Sequence, residues 1–399
     1  MDISRRSIVF GGLALAGGLY VVKRGVRYPT LSLESAPIPD HYSDSEWSFK
    51  FDDCFRTDTD SLAIRAFAPE PRIKIVAKES GTLKFEMLNL SPECELESSS
   101  VEVDEVINGT RRSLNLRLTA GEKIDLNWHL PAWQGYTFAS IGDSGGADEL
   151  AWCLRRAHEL NAKFLLHLGD FNYQAGDYRN AVDLFNNSPI PCYISIGNHD
   201  FHEDGLIYNQ FTSQLGPLNN TFQIGATKFI NLDTAANTWP RSGAQRGQLI
   251  RQIEESKKTY QHSVAFTHRP LHDPTEESSH DIGSETERDW LISALKSLNT
   301  HTLLSGHIHI FDRSEFNGID NIIVGQGLGH QDLITADTGY SKMALGQVSA
   351  DGSVEFEFEG LNMPMEMHCH PRVQPVKDSL METERADLMR QIASACELT

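Results

Sequence analysis

Five times after residue 135, a short apolar run ends in a turn whose next side chain can hold a metal ion or a proton. Residues 136–141 lead into Gly142-Asp143, and residues 163–168 into Gly169-Asp170. Residues 192–196 lead into Gly197-Asn198-His199-Asp200, residues 263–266 into Thr267-His268, and residues 302–304 into Ser305-Gly306-His307-Ile308-His309. Segments of helical spacing, residues 149–160 and 179–185, separate the first three runs. Strand–helix–strand alternation predicts right-handed crossovers and an α/β fold, with helices on the faces of the sheet. Such a sheet gathers the carboxyl ends of its strands along one rim, where open α/β sheets place their sites. A single Asp after a strand is ordinarily a turn residue, and a single His an ordinary packed one. Donors at five strand ends together predict a site.

The donors are of one chemical kind. Asp143, Asp170, Asn198, His268, His307 and His309 offer carboxylate, amide and imidazole groups, which suit first-row metals. Two such ions about 3.5–4 Å apart can clamp an in-line displacement at phosphorus. Glycines 142, 169, 197 and 306 are expected to let the backbone turn sharply and aim the following side chain into the crevice.

The ordered set Gly142-Asp143-Ser144-Gly145, Gly169-Asp170-Phe171-Asn172-Tyr173, Gly197-Asn198-His199-Asp200, Phe266-Thr267-His268 and Gly306-His307-Ile308-His309 resembles the calcineurin-like metallophosphoesterases, over roughly residues 136–360. More narrowly it resembles their purple acid phosphatase subgroup. Gly145 stands where most of the family carries a histidine, and Tyr173 appears three places after the second Asp. A phenolate is a hard anionic donor that favours a trivalent ion. The resemblance implies a four-layer α/β/β/α sandwich and Fe(III) held by Asp143, Asp170, Tyr173 and His309. It implies a second, divalent ion (Fe, Zn or Mn) held by Asp170 as bridge with Asn198, His268 and His307. It further implies hydrolysis of phosphate monoesters by a metal-bound hydroxide. His199 is the candidate to stabilise the phosphoryl group and protonate the leaving oxygen, with Asp200 orienting its imidazole. His272 and His280, in the loop after His268, are further candidates for substrate contact. Arg269 is a candidate for a second phosphate or a salt bridge. Two other readings use the same residues: a phosphodiesterase or nucleotidase on the same scaffold, and a metal-retaining interaction protein without turnover.

The rest of the chain reads differently. Residues 45–133 carry short period-two runs with Gly, Asn and Pro turns, such as residues 73–76, 83–87, 101–106 and 114–118, which predict a small antiparallel β-sandwich. No chemistry is visible in it, and its acidic stretch from Glu93 to Glu105 reads as a solvated face. The catalytic domain is expected over 135–360 and an extended segment and helix over 361–399. His368 and His370 in that tail read as isolated residues rather than a third metal site. Of six scattered cysteines, Cys54 and Cys94 are the pair to test for a disulfide, whereas Cys153 and Cys192 read as packing.

Residues 1–30 read as a signal or a membrane anchor. Arg5-Arg6 precedes an apolar run over residues 8–22, and Lys23, Arg24 and Arg27 close it. That run is short for a spanning helix and suits an export signal of the twin-arginine kind. The expectation is a periplasmic or extracellular protein, either cleaved or tethered to the membrane by its N-terminus. The net charge of −20 sets the surface against nucleic acid, so the expected partner is a phosphate ester.

Overall fold

The computed structural model describes residues 38–57, 61–99, 102–200, 208–235, 245–256, 259–275, 280–282, 284–328, 341–364, 390 and 394. These residues fall in one compact unit. The expected signal or anchor at residues 1–30 lies outside them, as does nearly all of the expected tail at 361–399, with His368, His370, Cys369 and Cys396.

The first half is two facing sheets. One runs His41–Ser43 (β1), Trp47–Asp52 (β2), Arg72–Ala77 (β5), Lys123–His129 (β10), Glu95–Ser98 (β7). The other runs Cys54–Arg56 (β3), Ala63–Ala66 (β4), Gly81–Leu88 (β6), Arg111–Leu118 (β9), Asp104–Asn108 (β8). Alternation puts every second residue inside: Ile73 and Ile75 from β5, Leu83, Phe85 and Met87 from β6, Leu114 and Leu116 from β9 pack with Trp128 between the sheets. This is the all-β region that the period-two runs predicted. The run expected over 101–106 becomes a strand only at Asp104. Cys54 and Cys94 are not bridged. Both are buried free thiols, and each points at a different carbonyl, Cys54 Sγ 3.6 Å from Arg72 O and Cys94 Sγ 3.5 Å from Pro69 O. Burial pushes the Cys94 thiol up to about 12, so it stays protonated.

The second half is a second pair of sheets. One runs Cys192–Ile194 (β13), Leu165–His167 (β12), Tyr136–Ile141 (β11), Lys342–Val348 (β20), Val354–Gly360 (β21), its first three strands parallel. The other runs Asn220–Ile224 (β14), Thr227–Asn231 (β15), His262–Phe266 (β16), Thr302–Ser305 (β17), Ile319–Val324 (β19), Phe311–Phe316 (β18), parallel from β15 to β19. Phe138 and Phe164 of the first sheet meet Phe229 of the second edge-on at 5.2 and 5.3 Å. Helices Asp148–Glu159 (α1), which packs on β11, and Asp177–Asn186 (α2), which packs on α1, cover the first sheet, and Tyr208–Gln214 (α3) brings Phe211 against Phe171. Helices Gln245–Glu255 (α4) and Glu285–Ser297 (α5) bury Ile250, Ile253, Leu291 and Leu295 on the second. The order of layers is α/β/β/α.

The two halves join at the edge strand β13. The amide of Asn89 accepts from Cys192 N at 2.7 Å and donates to Cys192 O at 2.9 Å, so one side chain stands in for a neighbouring strand and closes an open edge. Arg65, fully buried, donates to Leu215 O, Asn186 Oδ1 and Cys192 O, and Thr110 donates to Ser188 O.

Candidate dinuclear metal centre

The carboxyl ends of β11, β12, β13, β16 and β17 meet on one rim, and each delivers its side chains through a constrained backbone. Asp143, Asp170 and His307 adopt left-handed conformations (φ 58°, 58° and 68°), which cost L-residues energy and collect at functional sites. The glycines work differently from the sequence expectation. Among the four, Gly169 alone has the positive φ, 92°. Gly197 and Gly306 are needed for room: a Cβ on Gly197 would lie 2.1 Å from Asp170 Oδ1, and one on Gly306 2.3 Å from Asp143 Oδ2.

Each carboxylate is held by one oxygen and presents the other. Asp143 Oδ2 accepts from His307 N at 2.7 Å, and Asp170 Oδ1 accepts from His199 N at 2.8 Å. The remaining oxygens face two groups of donors. In the first group the Tyr173 hydroxyl lies 3.2 Å from Asp143 Oδ1, 3.3 Å from Asp170 Oδ2 and 3.1 Å from His309 Nε2. In the second, His268 Nε2 lies 3.4 Å from Asp170 Oδ2, 2.9 Å from Asn198 Oδ1 and 3.1 Å from His307 Nδ1. Asp170 Oδ2 belongs to both. His268 Nδ1 meets Leu168 O at 2.8 Å, which places its proton there and turns Nε2 to the centre.

Electrostatics marks this as a place for cations. Burial, reinforced by Asp170, raises Asp143 well above the usual carboxylate range. Burial also works against Asp170, but His268 and the His199 amide override it and hold Asp170 low. His268 rises to about 9 despite burial, through Asp170 and Asp143. Burial and the three carboxylates Asp170, Asp143 and Asp200 raise the Tyr173 phenol. A cluster of buried acceptors that recruits a proton onto a buried imidazole is short of positive charge. Its first group offers three oxygens and an imidazole and its second two oxygens and two imidazoles, so the residues present fit two metal ions.

Of the candidates beyond the ligands, His199 lies at the centre, its ring 4.6 Å from that of Tyr173. The Asp200 carboxylate folds under the rim and accepts from Asp170 N, Phe171 N and Gly197 N at 2.7–2.9 Å, and burial lifts it to about 7. It shapes the two loops that carry ligands. His272 leaves the set: its ring stacks on Phe316 at 4.9 Å. His280 stands closer, its ring 5.5 Å from His307. Three supporting residues are assigned no role from the sequence. Asn172 Nδ2 holds His199 O at 3.0 Å, Asp177 Oδ2 accepts from Tyr173 N and Gln174 N, and Ser144 Oγ meets His167 Nε2 at 2.8 Å. Asp177 alone left a signal, an acid opening a helix just after Tyr173.

Residues 128–311 match the family model of the calcineurin-like phosphoesterases. This stretch contains every donor described above. It is a calcineurin-like phosphoesterase domain. The family binds a dinuclear metal centre and hydrolyses phosphoric esters. No curated protein matches the sequence. Among solved structures, the chain is similar to a purple acid phosphatase from yellow lupin (Lupinus luteus), 12% identical, covering 73% of this chain and 70% of that one, with a TM-score of 0.47. PhoD is 12% identical over 73% and 86%, with a TM-score of 0.44. A dimetal phosphatase from Danio rerio is 14% identical over 57% and 96%, with a TM-score of 0.42.

Proposed function

We propose that this chain is a phosphomonoesterase of the purple acid phosphatase type, exported through residues 1–30 and using Fe(III) with a divalent ion. The observation that carries the reading is the Tyr173 hydroxyl, within 3.3 Å of Asp143 Oδ1, Asp170 Oδ2 and His309 Nε2. A buried phenol among carboxylates keeps its proton unless a hard, highly charged cation replaces it, and Fe(III) is that kind of cation. Asp143, Tyr173 and His309 would then hold the trivalent ion, Asn198, His268 and His307 the divalent one, and Asp170 both. When bound, the ions acidify water at neutral pH and offset charge on the phosphoryl oxygens.

The chain supplies the remaining parts. The backbone N–H groups of His307 and His199 fix the carboxylates, so the ligands need little rearrangement. His199, half-buried beside Tyr173, is the group to give a proton to the leaving oxygen, and Asn172 sets its backbone position. The substrate is a phosphate ester taken from outside the cell or from the periplasm. Among the described residues no helix is long and apolar enough to cross a membrane. The test is hydrolysis of an aryl phosphate monoester against its bis-aryl diester, with metal analysis of the same sample. Faster monoester turnover with one iron and one divalent ion per chain is the expected result. Diester preference would make it a phosphodiesterase, and a loaded protein without either activity would sink the reading.

A further inference from the structure

Arg269 follows the ligand His268 and is only 8% exposed, yet no carboxylate among the described residues pairs with it. Asp170 and Asp281 act on it at longer range, but Asp170 lies against His268 and Asp281 is paired with Arg288. Of the other buried arginines, Arg112 meets Glu105, Arg246 meets Glu287, and Arg65 donates to three oxygen acceptors. Arg269 meets no acid. Its Nε donates to Ala235 O at 3.1 Å, which fixes the plane of the guanidinium. Its NH1 lies 2.6 Å from His307 Nε2 and a long 3.5 Å from His280 O. Its NH2 has no acceptor among the described residues and is not a buried atom.

The tautomer of His307 sharpens the point. Its Nδ1 faces the centre, 3.1 Å from His268 Nε2. An ion taking the Nδ1 lone pair leaves the ring proton on Nε2, and Nε2 then ceases to accept from Arg269. Loading the centre therefore frees NH1 beside the already unmatched NH2. That edge of a guanidinium is a planar fork suited to two oxygens of one phosphate. In a chain of net charge −20, a fixed local cation is what lets an anion approach.

We propose that Arg269 is the specificity residue of the centre, its NH1/NH2 edge binding two non-bridging oxygens of a phosphate monoester dianion. The inference rests on the phosphoesterase reading. A diester gives the fork one negative charge fewer, so Arg269 favours monoesters. The test compares metal-loaded wild type, R269Q and R269K. Inorganic phosphate binding is measured by calorimetry, and kcat/KM on the aryl monoester and bis-aryl diester. R269Q should keep two metals per chain, weaken phosphate binding about 30- to 100-fold, lower monoester kcat/KM by a similar factor, and lower diester kcat/KM only about threefold. R269K should recover part of the phosphate binding, since charge returns without the fork. Unchanged phosphate binding in R269Q overturns the proposal, as does an equal loss on both esters or loss of the metals. If wild type hydrolyses neither ester, the phosphoesterase reading fails, and Arg269 is judged by the phosphate titration alone: weakening supports an anion site, and no change rejects it.

Discussion

The β-region and the phosphoesterase domain are both pairs of facing sheets around an aromatic core, and they differ in what their buried polar groups meet. In the β-region, the terminal nitrogens of Arg112 and the amide of Asn89 meet complementary groups. Arg112 reaches Glu105, Ser91 O and Cys94 O, and Asn89 matches both backbone groups of Cys192. In the phosphoesterase domain, acceptors face acceptors: two carboxylates, an amide oxygen, three imidazoles and a phenol converge with little positive charge among them. Backbone strain alone does not separate the regions, since Asp53 and Asn89 are left-handed too (φ 60° and 61°). Paired polar groups hold a fold together, whereas acceptors gathered in excess of their donors wait for a cation.

The comparison can be broken at either end, and the largest effect is expected at the shared carboxylate. Asp170→Asn should cost both metals and essentially all hydrolysis, because one neutral amide then faces two cations; metal analysis that still finds two ions per chain would remove Asp170 as bridge. His199→Ala should keep both metals and slow turnover about 10²–10⁴-fold, the range for a general acid. That loss should shrink for substrates with good leaving groups, and an equal loss for all would assign His199 to binding. In the β-region, Arg65→Ala should lower unfolding free energy by about 3 kcal/mol, since two buried acceptors and a part-buried one lose their donor, while leaving metal stoichiometry at the wild-type value. Urea unfolding with metal analysis checks both halves of that statement.

The smallest effect concerns pH. Burial, then Asp52, raises Asp53 to about 6. The folded state therefore holds a proton that the unfolded chain releases near pH 4. Stability from this group is present below about pH 4 and is lost as pH rises towards 6. Asp53→Asn should stabilise the protein at pH 7 by about 1–2 kcal/mol, allowing for partial exposure, and flatten the pH dependence of Tm over that window. Asn suits the left-handed backbone there.

The sequence carried the strand ends and the donors on them, because period and residue type are local signals. It did not carry the work of the glycines, since the crowding of Gly197 by Asp170 and of Gly306 by Asp143 exists only once distant strands pair. Asp200 read as a partner of its neighbour His199, but the tight 197–200 turn folds its carboxylate back under residues 170–171. His272 and His280 both read as loop candidates for substrate contact. Phe316, at the end of β18, claims one ring, and His307 faces the other. Cys54 and Cys94 shared a region and a burial class, yet nothing in their spacing fixes the direction of Sγ.

The central claim is that Tyr173 loses its phenolic proton to water and its oxygen binds a trivalent ion held with Asp143, Asp170 and His309. The visible spectrum of the oxidised, metal-loaded protein tests it most directly. A phenolate on Fe(III) should colour the wild type pink to purple, and Tyr173→Phe, which conserves ring volume, should abolish the band with the fold intact and iron held more weakly. A colourless wild type containing Fe(III) and a second metal would contradict the account, because Tyr173 would then be a packed phenol and the purple acid phosphatase reading would fall.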